Sequence, residues 1–126
     1  MTVARIGIAL APSTADAPHD LYLDPNGNLA MVRDAAAVGQ HARQRLMTFA
    51  GEWFMDTTAG VAWLNSILGR RENLPLAEAL IKNEILDTDG VTGLTGFSAR
   101  FIPEQRALVV TTASVSTEYD GQEASV

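Results

Sequence analysis

At residue 91 the spacing of apolar side chains changes from helical to alternating, a switch that rules out both an all-helical and an all-strand chain. Upstream, Ala77, Leu80, Ile81 and Ile85 mark one face of a helix that starts near Asn73 to Pro75 and ends near Gly90. Pro75 suits a first turn, because its missing N–H has no partner there in any case. Downstream, Leu94 lies on one parity and Phe97, Ala99 and Phe101 on the other, with Gly96 between them; this is the pattern of a strand bulged at a glycine. Pro103-Glu104-Gln105-Arg106 make a turn. The return strand over 107–119 is about 13 residues long, against a typical 5–6. Its first half, Leu108-Val109-Val110, is apolar on both sides. Its second half, Thr111-Thr112-Ala113-Ser114-Val115-Ser116-Thr117, is mostly hydroxylic and is expected to leave the core, either as a solvated flap or as an open edge kept for another chain's strand. The polar, acidic tail 120–126 is expected to fray.

The first half of the chain adds a hairpin and a second helix. Leu21-Tyr22-Leu23 and Leu29-Ala30-Met31-Val32 flank Asp24-Pro25-Asn26-Gly27-Asn28, where Asn26-Gly27 offers the positive φ of a tight turn. Alternation puts Leu21, Leu23, Leu29 and Met31 on one face of that hairpin, with Tyr22 and Ala30 on the other. A helix is expected over 35–50, capped by Asp34 and stopped by Gly51. Its buried stripe is Val38, Ala42, Leu46 and Phe49, while Gln40, Arg43, Gln44 and Thr48 face elsewhere. Between the helices, 51–60 crowds Trp53, Phe54 and Met55 between two glycines and is expected to be a packed loop. A short helix over 61–68 and a polar break over 70–73 follow. The fold class is α+β: an N-terminal strand and hairpin, two main helices plus a short one, and a long C-terminal β-hairpin.

At 126 residues, the chain is sized for one domain over 1–126, and its 47% hydrophobic residues are enough to fill a core without staples. Residues 1–20 supply a strand and loop. Arg5 and the apolar run to Ala11 faintly resemble a secretory leader, but the run is short, contains Gly7 and is broken by Pro12, so a short edge strand fits better. No run approaches the ~18 apolar residues of a membrane span. A formal charge of −6 repels phosphate backbones and anionic lipid, so neither nucleic acid nor membrane is an expected partner.

The chemistry-bearing residues are few. There are no cysteines, which removes thiolate metal sites and cysteine nucleophiles together. His19 and His41 have no partner at metal-ligand spacing, and neither metal nor cofactor is expected. No Gly-x-Ser-x-Gly string and no glycine-rich phosphate loop occurs. Glu52 and Asp56 form a close carboxylate pair in an aromatic setting, the raw material of a glycosidase with Glu52 as acid. The plainer reading pairs Glu52 with Arg45 or Arg43 and makes Asp56 a turn cap. Eight of the nine basic residues are arginines, a type enriched at protein interfaces but equally at home on solvated helix faces.

Three strings together resemble one family: Leu21-Tyr22-Leu23…Asn26-Gly27-Asn28-Leu29-Ala30, the helix end Gln40-His41-Ala42-Arg43-Gln44-Arg45-Leu46-Met47-Thr48-Phe49, and Gly51-Glu52-Trp53-Phe54-Met55-Asp56. Gly60, Trp63, Ile67-Leu68-Gly69 and Ile85-Leu86…Gly90-Val91 continue the match, which spans about 21–119. The chain resembles the small baseplate wedge or sheath-initiator proteins of contractile phage tails, in their Mu-like branch. That family was formerly described as lysozyme-like, and similar subunits occur in type VI secretion machines and phage-like bacteriocins. The resemblance implies a non-enzymatic virion tail subunit, in six copies per baseplate and assembled in the bacterial host cytoplasm. It also implies wedge docking by Arg43, Arg45, Glu52, Trp53, Phe54 and Asp56, and templating of the first sheath ring by strand pairing along Thr111, Thr112, Ala113, Ser114, Val115, Ser116 and Thr117. Wedge and sheath proteins are the implied partners, with the tail tube or spike hub as further ones. Two positions depart from the family's usual pattern: Trp53 stands where a basic residue often follows the glutamate, and Thr57 where a proline often follows the aspartate.

Overall fold

The computed structural model describes residues 3–11, 19–63, 67, 73–119 and 122–126. In chain order its elements are β1 (Ile6–Ile8), β2 (Met31–Arg33), α1 (Asp34–Met47), α2 (Leu74–Leu86), β3 (Val91–Ile102), β4 (Ala107–Thr117) and β5 (Glu123–Ser125). β1 and β2 form a two-stranded antiparallel sheet; β3, β4 and β5 form a three-stranded antiparallel one, in that order. α2 packs on β3, and α1 on β4 and β5, with the two helices touching each other. Helices on one face and strands on the other make the α+β architecture expected from the period switch. Half of the short helix expected over 61–68 lies outside the described residues, as do Arg70 and Arg71.

The core sits between the helices and the larger sheet. Ile81 and Ile85 of α2 and Val115 of β4 are fully buried, joined by Ala113 and Ala124. Leu46, Trp63, Val91, Leu94, Phe97, Leu108 and Val126 pack around them. α2 begins as read: the Asn73 side chain accepts from the Leu76 N–H at 3.1 Å, and Pro75 lies in the first turn. It stops at Leu86, earlier than Gly90. α1 differs at both ends. Asp34 is its first residue rather than a side-chain cap, has φ of +50° and gives its N–H to the Arg5 carbonyl. The helix ends at Met47, because Thr48 turns extended and the Thr48 and Val61 carbonyls accept from Val61 and Ala50 N–H in a parallel bridge. Phe49 therefore lies in that bridge, outside the helix. The buried stripe of Val38 and Ala42 is joined by Ala35 and Gly39.

The C-terminal half holds the largest departures. β4, expected to leave the core beyond Val110, is most buried there: Ala113, Val115 and Thr117 point inward. Their alternation with Ser114 and Ser116 is the period-two signal of a half-buried strand, obscured in the sequence by the small hydroxylic residues. The outward serines are satisfied by β3. Pairing skips Thr92, Thr95 and Thr111, and the first two send hydroxyls to Ser116 and Ser114 at 3.0 and 3.1 Å, while Thr111 reaches the Ser98 carbonyl at 3.2 Å. The bulge expected at Gly96 is the one at Thr95; the other two are additional. The tail does not fray over its last residues, because β5 pairs with β4 as Ser114↔Ser125, Val115↔Ala124 and Ser116↔Glu123, with Ala124 buried.

The N-terminal hairpin turn forms, with Asp24 Oδ1 accepting from the Asn26 and Asn28 N–H groups and Gly27 at φ +82°. Leu23 and Leu29 meet in a single bridge, and the second arm runs on into β2.

Candidate functional site

Loop 51–60 is built as a closed frame around an exposed tip. The bridge between Phe49 and Val61 closes its neck. Inside, the N–H groups of Gly51, Asp56 and Ala59 bond to the carbonyls of Thr57, Trp53 and Asp56 at 2.9, 3.1 and 3.3 Å. The Asp56 carboxylate takes both the Thr58 N–H, at 3.0 Å, and the Thr58 hydroxyl, at 2.6 Å. Those two donors hold the Asp56 pKa below its ordinary value. The turn-capping role read from the sequence is thus the observed one.

The aromatic residues do not pack inward as expected. Trp53, Phe54 and Met55 are 47%, 88% and 72% exposed, because the frame spends its main-chain groups on itself and turns these side chains out. An open groove of about 760 Å³ runs beside the loop, with Arg45, Glu52, Trp53 and Asp56 among its walls. Arg43 is not part of it: its guanidinium meets the His19 ring in a different groove, on the β5 side of α1. Arg45 is committed elsewhere, to Glu84 at 2.8 Å and to the carbonyl and carboxylate of Asp87 at 2.8 and 3.6 Å, tying α1 to the end of α2. The expected pairing of Glu52 with Arg45 or Arg43 is therefore absent among the described residues, and Glu52 is an exposed carboxylate.

The carboxylate pair is poorly set for glycoside hydrolysis. The general acid of such a pair sits among apolar side chains, whereas Glu52, the residue read as the acid, is exposed to water. Among the described residues no group of three His, Asp or Glu side chains gathers to hold a metal, and no helix is long and apolar enough to cross a membrane.

The second candidate surface is the edge of β4. Residues 114–116 are hydrogen-bonded on both sides, to β3 and to β5. Over 107–112, by contrast, β4 pairs with β3 alone among the described residues, leaving one row of main-chain groups free. Of the seven residues expected to offer a pairing strand, only Thr111 and Thr112 lie on the open stretch. Ala113, Val115 and Thr117 are in the core, and Ser114 and Ser116 face the β3 threonines. The outer edge of β3 is also unpaired among the described residues, but bulges at Thr92 and Thr95 interrupt it, a device that discourages strand addition. A third surface was not singled out from the sequence as an exposed one: Ile6, Ile8, Leu21, Leu23, Leu29 and Met31 are 42–65% exposed on the N-terminal strands. The alternation correctly grouped four of them, and only the missing cover shows that their face is outward.

A family model for the contractile injection system sheath initiator matches residues 12–120. The chain belongs to the sheath initiator family. No curated protein matches it. As a sheath initiator it is a structural subunit of a contractile injection particle, a role that implies contact with sheath and baseplate components and suggests no enzymatic activity.

Proposed function

We propose that this sheath initiator docks on baseplate wedge proteins through the tip of loop 51–56 and templates the first sheath ring through the free edge of β4. The observation that carries the docking half is the exposed Trp53-Phe54-Met55 tip on a hydrogen-bonded frame. Large apolar side chains held out rigidly lose little entropy on binding and act as anchors. Glu52 and Asp56 border the tip with negative charge and so favour a basic rim on the wedge. Arg45 contributes indirectly, by fixing the end of α1 from which the loop departs, and Arg43 belongs to the face where α1 meets β5. The templating half rests on the open main-chain row over 107–112, which pairs with any extended backbone and tolerates side-chain variety.

In this reading six copies surround the tail tube in the virion baseplate, assembled in the bacterial cytoplasm, and the exposed apolar face of the N-terminal strands is the surface left for the tail tube or spike hub. The test is Phe54→Asp in the purified protein. Wedge binding is expected to fall at least tenfold with the melting temperature unchanged; unchanged binding sinks the docking assignment.

A further inference from the structure

We propose that β5 is a displaceable internal plug, and that the slot it fills between β4 and α1 receives a strand of the sheath protein carrying a small residue where Ala124 now lies. This inference rests on the strand-templating reading above and adds to it the site of entry and a selection rule.

The open part of β4 is too short to hold a strand by itself. The bulge at Thr111 leaves only 107–110 as regular free ladder, four residues against the ~5–6 of an ordinary strand. A partner strand that continues past the bulge in the same lane runs into 113–116, where β5 lies and where the Val126 N–H bonds to the Ala113 carbonyl at 3.0 Å. β5 and the residue after it are held by three register pairs and the Val126 N–H bond, and they bring to the core the buried Ala124 and the partly buried Val126. A strand covering 107–116 replaces those three pairs and adds those of the open stretch, so exchange is favourable in main-chain hydrogen bonds.

The floor of the slot is Gly39. A Cβ built there collides with the Ser125 carbonyl oxygen and lies 2.9 Å from the Ala124 Cβ, so helix and strand backbones approach as closely as two residues without side-chain bulk permit. The fully buried Ala42 and the buried Ala35 continue this small surface along α1. A strand with Leu or Phe at the position of Ala124 has no room; one with Gly, Ala or Ser fits.

A reversible lock tests displacement in the full chain. Ala113 and Val126 form a hydrogen-bonded pair, so Ser114 and Ser125, one step along, are of the close non-hydrogen-bonded kind, with Cα atoms ~4.5 Å apart, within disulfide range. Their side chains point away from the core. In S114C/S125C, oxidation is expected to stop sheath polymerisation on baseplates and reduction to restore it, with the wedge still bound in both states. Normal polymerisation of the oxidised protein overturns the plug. Val110→Pro, which removes an N–H of the open edge on the parity of Leu108, separates the two readings: if the locked protein polymerises while V110P does not, strand templating stands and displacement falls, and if both polymerise, both fall.

Discussion

Arg45 and Glu52 are seven residues apart, and the structure gives them opposite duties. Arg45 holds Glu84, whose side chain is only 15% exposed, so Arg45→Ala leaves a nearly buried carboxylate without its partner. A loss of about 1–3 kcal/mol is expected in denaturant unfolding, the range for leaving a buried polar group without its hydrogen-bond partner. Glu52→Ala, which removes an exposed carboxylate with no partner among the described residues, is expected to leave the unfolding midpoint within error and to affect wedge binding alone. A drop in stability for Glu52→Ala comparable to that of Arg45→Ala is the outcome that makes Glu52 structural. The sequence could not separate these roles. It showed two arginines and two carboxylates at compatible spacing, whereas the true partner of Arg45 lies 39 residues away on another helix. Asp56, whose partner is two residues distant, was legible for the opposite reason.

At the level of elements, the helices were readable because their signals are local: Asn73 and Pro75 set one start, and the apolar stripes of both helices fall at helical spacing. β4 misled for a physical reason as well. Its polarity reads as exposure, but a strand needs only every second residue to be apolar, and Ala113, Val115 and the hydroxyl-satisfied Thr117 are sufficient when a bulged partner supplies threonines to the outward serines. The consequence can be measured by amide exchange in the free protein. Residues 113–117 are expected to be strongly protected, while alternate amides over 107–112, facing the open edge, exchange within the dead time of a manual experiment. Fast exchange across 113–117 contradicts the double pairing of β4. Gly39→Ala probes the same element from the helix side. Its added methyl collides with the Ser125 backbone but gains up to about 1 kcal/mol of helix propensity, so β5 is expected to detach, with protection lost at Val115, whose N–H faces β5, and α1 retained. β5 itself was unreadable, because nothing in its short polar sequence announces that a glycine on α1 leaves space for its backbone.

Across the whole molecule, the N-terminal strand is fastened by contacts that no local pattern contains. Arg5 reaches Asp89 at 2.8 Å, in the turn between α2 and β3, and Glu118 at 2.9 Å, just past β4, while the Tyr119 hydroxyl donates to the Val3 carbonyl at 2.6 Å. The clasp joins the two sheets across most of the chain's length, and it also holds the strands carrying the exposed apolar face. The Arg5 hydrogen bond, followed by its charge, lowers the Asp89 pKa below the ordinary 3.8. A depressed folded-state pKa means that the unfolded chain binds the proton first as pH falls, so the stabilisation is complete above the unfolded value and disappears as pH drops through the folded one. The melting-temperature gap between the wild-type protein and Asp89→Asn is therefore expected to stay constant from pH 7 down to about 5, begin closing near the ordinary carboxylate value, and vanish in stronger acid. A gap that persists at about pH 2, well below the ordinary carboxylate range, means that the Asp89→Asn change removes something other than charge. A gap that instead widens as pH falls below the ordinary histidine range marks His41, which shares a groove with Arg5 and Asp89 and whose ring, held below its ordinary value chiefly by burial, takes its proton more readily beside the Asp89 carboxylate.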